Sequence, residues 1–144
     1  MAHIVELREM SDAKLEERLE DARQELFNLR FRRASGQLED YSRLKVARRD
    51  IAQLESVLHL RKLAVETAAA QPEIAQSLKG KEWEGTAHFD YEASAWQVEL
   101  TADGKNIATA TVDLNKKRPR NQKEAAKKGQ PQLVTGYEVA RATK

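Results

Sequence analysis

Apolar positions in the first half of the chain recur with a helical period. Leu15, Leu19, Ala22, Leu26 and Leu29 follow at steps of four, three, four and three, and Leu44, Ala47, Ile51, Leu54 and Leu58 repeat the alternation of three and four. Each set is a narrow stripe, the pattern of a two-helix seam. Ser11 precedes the first stripe as an N-cap. Asp12, Glu16 and Glu17 occupy the early turns and Arg30, Arg32 and Arg33 the last one, as the helix dipole favours. Ser35-Gly36 then ends the helix, because glycine accepts the left-handed conformation that follows many helices. The pattern predicts helices over about 11–34 and, starting near Asp40 as a candidate cap, about 40–63. Each is about 35 Å long at about 1.5 Å per residue. Equal lengths and a short connection leave an antiparallel pair. A short amphipathic turn at Ile4–Glu9 is expected to fold against one end.

Beyond Leu63 the pattern changes. AVETAAAQPEIAQSLKGK, rich in alanine and containing Pro72 and Gly80, reads as a fraying helix followed by a linker. From Trp83 to Leu114 the period is two. Ala87, Phe89 and Tyr91 alternate with Thr86, His88 and Asp90, and Trp96, Val98 and Leu100 with Gln97, Glu99 and Thr101. Asp103-Gly104 is a hairpin turn into Ile107–Leu114. Two registers stay open. A two-residue loop sets Leu100 across from Ile107, whereas a three-residue loop sets Leu100, Val98 and Trp96 against Ala108, Ala110 and Val112, the cleaner apolar face. Three strands without a covering layer are marginal alone, so this piece is expected to lean on a partner. NKKRPRNQKEAAKKGQPQ is polar and basic and is expected to be disordered when free, while QLVTGYEV leaves room for a short strand.

The expected fold class is therefore α+β: a long, coiled-coil-like antiparallel two-helix hairpin with a short N-terminal helix, plus a small antiparallel β-element and a basic tail. The expected organisation is a helical hairpin at 1–65, a linker at 66–81, a β-meander at 82–114 and an extended tail at 115–144.

Composition narrows the class. The 144 residues are 33% charged and 6% aromatic, which argues against a thick globular core. No stretch approaches the ~20 apolar residues of a membrane span, and MAHIVELREM has no signal-peptide pattern, so no membrane partner is expected. The absence of cysteine excludes disulfides, thiolate catalysis and zinc ribbons, and the cytoplasm is the default location.

A net charge of +2 conceals segregation. Residues 6–25 carry eight acids against four bases, whereas residues 29–49 carry seven bases against Glu39 and Asp40. In an antiparallel hairpin Arg30, Arg32, Arg33, Arg43, Lys45, Arg48 and Arg49 all converge on the turn end. A second island at 116–128 holds Lys116, Lys117, Arg118, Arg120, Lys123, Lys127 and Lys128 against Glu124. A charge run is usually just a solvated face. Within the hairpin, two sequence-distant runs, Arg30–Arg33 and Arg43–Arg49, meet at one end and point instead to a polyanion, and the fourteen basic residues of the two islands are its candidate contacts.

Other chemistry is thin. His3, His59 and His88 have no metal-ligand spacing, no glycine-rich phosphate loop occurs, and Ser11, Ser35 and Ser42 sit in cap and turn contexts. The carboxylates lie on polar helix faces. An enzyme, a cofactor, a metal and a small-molecule substrate are therefore not expected. Lys116–Arg120 could be read as a nuclear address, a weak motif. Trp83, Phe89, Tyr91 and Trp96 could stack on bases, but their alternate spacing favours a small apolar face.

Residues 25–58 carry a resemblance. Phe27-Asn28-Leu29-Arg30, Ala34-Ser35-Gly36-Gln37-Leu38, Ser42-Arg43-Leu44 and Arg48-Arg49-Asp50-Ile51-Ala52, with Glu6-Leu7-Arg8 upstream, resemble the family of bacterial large-subunit ribosomal protein twenty-nine. The resemblance covers about 4–63 and leaves a long C-terminal extension outside it. It implies a structural place in the large ribosomal subunit, bound to 23S ribosomal RNA near the exit of the nascent-chain tunnel. Large-subunit protein twenty-three would be its neighbour, and exit-tunnel-associated factors are further partners. On that reading Lys116–Arg120 is a basic arm entering RNA. The alternative from the residues alone is a coiled-coil adaptor that binds only protein partners.

Overall fold

A computed structural model describes residues 3–116, 121–129 and 131–140 and divides the chain into two compact units, Met1–Leu60 and Arg61–Lys144. It contains helices and an antiparallel sheet, so the α+β class holds.

The first unit holds α1 (Ile4–Glu9), α2 (Asp12–Ala34) and the start of α3 (Ser42–Ala69). Ser11 caps α2, its hydroxyl accepting from the Lys14 N–H at 3.4 Å. The helix ends in a Schellman turn: the Gly36 N–H donates to the Arg33 carbonyl and the Gln37 N–H to the Arg32 carbonyl, with Gly36 at φ +74°. Asp40 starts the next helix from just outside it, accepting the Ser42 N–H at 2.8 Å.

The seam runs antiparallel. Leu15 and Leu19 of early α2 cluster with Leu54 and Val57 of the middle of α3, together with Leu7 of α1. Leu29 of late α2 clusters with Leu44 and Ala47 of early α3, and Leu38 of the turn closes that end. Ala22, Leu26, Ile51 and Leu58, expected as full members, are only partly buried. Val57, absent from the expected stripe, is fully buried.

The second unit departs from expectation. α3 continues past 63 to Ala69, because its buried row runs on through Arg61, Ala64 and Ala68. Residues 71–78, expected inside a linker, form α4 (Pro72–Leu78) with its Gln71 cap. Pro72 stands at the first helical position, where a missing N–H costs nothing, and Ile74 and Leu78 bury one face.

The expected β-meander has four strands rather than three: β1 (Trp83–Asp90), β2 (Ala95–Ala102), β3 (Lys105–Val112) and β4 (Val134–Val139), in the order β1-β2-β3-β4. β4 forms in QLVTGYEV, where the sequence left room for a short strand inside an otherwise extended tail, and that part also contains α5 (Gln122–Lys128). Pairing with β3 satisfies its backbone, and the Asp113 N–H donates to the Leu133 carbonyl at 2.8 Å where the two strands separate.

Both proposed registers at Asp103-Gly104 turn out to coexist. Ala102 pairs with Lys105 across a two-residue turn, while Leu100 pairs with Ala108. A bulge at Ile107 reconciles them by absorbing one residue, which keeps Ala108, Ala110 and Val112 on the apolar face. The chain itself supplies cover for that face, where the strands were expected to lean on a partner. Val65 of α3 lies against Gly85 and Leu100, and α4 lies near β3 and β4. Phe89 and Trp96 pack edge to face at 5.1 Å, both buried, whereas Trp83 and Tyr91 are exposed.

Candidate nucleic-acid interface

The turn end of the hairpin is built from the last turns of α2 and the first turns of α3. The seam fixes its geometry. Leu29, Leu44 and Ala47 turn inward, so Arg30, Arg32, Arg33, Arg43, Lys45, Arg48 and Arg49 are all exposed. Lys45, Arg48 and Arg49 lie at i, i+3 and i+4 and share a face. Arg43 donates to Glu25 across the seam at 3.4 Å, both side chains about half exposed, so the pair holds neither charge tightly. Among the described residues the other six make no ion pair. Hydrogen bonds from Ser42, the largest influence, and the charge of Arg43 hold the Asp40 carboxyl below its usual value. It stays a carboxylate engaged with the helix start.

The acidic half of the hairpin has a different character. Arg18, Asp21, Glu25, Asp50 and Gln53 line a shallow groove together with Leu7, Ala22 and Leu54. It holds mixed charge and no nucleophile beside a base. Among the described residues no group of His, Cys, Asp and Glu could hold a metal ion, and no helix is long and apolar enough to cross a membrane.

The second basic island belongs to the other unit. It lies in the excursion between β3 and β4, rather than in a free tail. Lys116, Lys123 and Lys127 are exposed, Lys128 ends α5, and Lys117, Arg118 and Arg120 lie outside the described residues. The Lys116 ammonium donates to the Gln132 carbonyl at 2.7 Å, which ties the start of the excursion to its end. Charge counting found both islands. It could not find Phe27 and Phe31, whose exposure on α2 depends on which face the seam takes.

The model of the Ribosomal L29 protein family matches residues 5–61. The large ribosomal subunit protein uL29 of Streptomyces avermitilis is 50% identical over 62 residues, covering 43% of this chain and 84% of that protein. The corresponding protein of Corynebacterium aurimucosum is 49% identical over 63 residues, 44% of this chain and 83% of its own length. That of Mycobacterium sp. strain KMS is 48% identical over 68 residues, 47% of this chain and 88% of its own. Each similarity spans less than half of this chain, and the family match ends one residue into the second compact unit.

Proposed function

Because the chain belongs to the Ribosomal L29 protein family, we propose that it is a structural, non-catalytic component of the large ribosomal subunit that holds large-subunit RNA on its basic hairpin tip. The observation that carries this reading is the gathering of seven exposed cations at one end of an antiparallel helix pair, six of them without an ion-pair partner among the described residues. A cation-rich end whose seven bases outnumber Glu25, Glu39 and Asp40 suits a phosphate surface. Recognition is mostly of backbone and shape, since nothing in the cation pattern reads base sequence. The excursion between β3 and β4 adds a second phosphate contact through Lys116, Lys123, Lys127 and Lys128, together with Lys117, Arg118 and Arg120. On this reading the hairpin sits near the tunnel exit beside protein twenty-three, on ribosomes in the cytoplasm, and the likeness to protein twenty-nine supports it.

The test is the salt dependence of binding of the full chain to a large-subunit RNA transcript. If about four to six tip cations neutralise phosphates, log affinity falls with log salt at a slope of roughly −4 to −5. Arg48→Gln with Arg49→Gln flattens the slope by about two. A parent slope near zero would falsify RNA binding by the tip and leave the protein-only adaptor.

A further inference from the structure

Phe27 and Phe31 are 68% and 67% exposed, far more than a folded chain leaves large aromatics without reason. They stand four residues apart and share a face of α2, turned away from the seam that buries Leu29. Burial cannot explain them. The fold needs neither ring, since the seam is complete with Leu15, Leu19 and Leu29 on this helix.

The surroundings of the pair select its partner. After Glu25 the chain carries no acid until Glu39, while Arg30, Arg32 and Arg33 all fall in that interval. Arg30 lies on one flank of the rings and the exposed Asn28 on the other, one helical position to either side of the shared face. An apolar protein surface laid here would bring the flanking Arg30 guanidinium into a dry interface without a counter-charge, which is costly. An unpaired nucleotide supplies a flat apolar face for the rings, a phosphate for Arg30 and a polar edge for the Asn28 amide. Four residues rise about 6 Å along the helix, close to the spacing of two rings with one base stacked between them.

We infer that Phe27 and Phe31 form a stacking clamp for one or two unpaired RNA bases, so that the hairpin selects single-stranded loops or bulges over continuous duplex. This rests on the proposed RNA-binding role of the tip and deepens it. The arginines supply affinity for any phosphate backbone, and the phenylalanines supply the preference for unpaired bases.

The experiment uses the full chain and two probes, a hairpin RNA with a single-stranded loop of uridines and a blunt duplex of equal length. The wild-type chain binds the looped RNA about tenfold or more tightly than the duplex, the scale of one or two stacked bases. Ultraviolet cross-linking joins uridine to the peptide containing Phe27 and Phe31. The double variant Phe27→Leu and Phe31→Leu keeps apolar bulk but removes the rings. Both positions are exposed, so its circular dichroism matches wild type. It loses the loop preference and the cross-link, while duplex affinity and salt slope stay unchanged. The Arg48→Gln and Arg49→Gln variant weakens both RNAs and keeps the preference. Salt-dependent binding with equal affinity for both probes, or a preference that survives in the leucine variant, overturns the clamp alone and leaves the rings to a protein neighbour. Absence of salt-dependent binding to either probe overturns the clamp together with the RNA-binding reading beneath it.

Discussion

The side chain of Val65, near the end of α3, occupies the space where a Cβ on Gly85 of β1 would stand. Leu100, the β2 partner of Gly85, closes the same space from beside it. The missing side chain lets the helix lie directly on the sheet. Gly85→Ala therefore overpacks this layer and lowers stability by about 1–3 kcal/mol. Thermal unfolding of the full chain checks this. Adding Val65→Ala restores part of the loss, because it removes the atoms in conflict, and a double variant no better than Gly85→Ala would refute the contact.

The turn between β2 and β3 places Asp103 at φ +53° and Gly104 at φ +74°, which lets the chain reverse in two residues. Asp tolerates that region and a β-branched residue does not. Asp103→Val costs about 1–2 kcal/mol by strain at one residue, and Asp103→Gly costs none of it. Denaturant midpoints of the two variants give the comparison.

In the hairpin, Leu15 and Leu54 are buried to 0% and 5% exposure, whereas Leu26 and Ile51 lie at the margin of the seam. Truncating Leu15 or Leu54 to Ala costs about 2–5 kcal/mol, and Leu26→Ala falls below that range. Helical circular dichroism during thermal melting orders the three. A Leu26→Ala loss equal to that of Leu54→Ala would mean that the seam is rotated from the one described.

The Tyr137 hydroxyl donates to the Glu73 carboxylate, linking β4 to α4. This raises the tyrosine above its ordinary value of 10.0. Hydrogen bonds from Gln71, the larger effect, and from Tyr137 lower Glu73 below 4.5. A depressed carboxyl stabilises the fold above its unfolded value, and that contribution is lost as pH falls through the folded one. A raised phenol stabilises below 10.0, and that contribution is lost as pH rises through its folded value. Stability should thus decline at both extremes, modestly because the groups are solvent-exposed. Tyr137→Phe removes the alkaline decline and weakens the acid one without abolishing it, since Gln71 remains. Urea midpoints between pH 3 and 11 would show this.

Lys123 and Lys127 are exposed and four residues apart on α5. If the excursion between β3 and β4 reaches phosphate, changing both to Gln flattens the salt slope of RNA binding by about two. An unaltered slope would leave the hairpin tip as the whole RNA surface.

The hairpin was legible in the sequence because its determinants are local. A stripe spaced three and four residues apart, Ser11 before it and Gly36 after it specify two helices, and chain connectivity makes them antiparallel. Convergence of the basic residues follows from the same facts. The last strand was legible only as room for one in QLVTGYEV, because a six-residue run such as Val134–Val139 has no preference strong enough to outweigh the polar excursion before it. Only the free edge of β3 decides that it pairs. The register at Asp103-Gly104 was equally undetermined. Turn chemistry asked for two residues and the apolar face for three, and a bulge at Ile107 meets both demands only when the helices are present to bury that face. Residues 71–78 lack the length to be stable as a helix alone and take that form because Ile74 and Leu78 find a place to be buried. Phe27 and Phe31 show the same division. Sequence placed two rings four residues apart and off the stripe through Leu26 and Leu29, and only the structure shows that they stay 68% and 67% exposed.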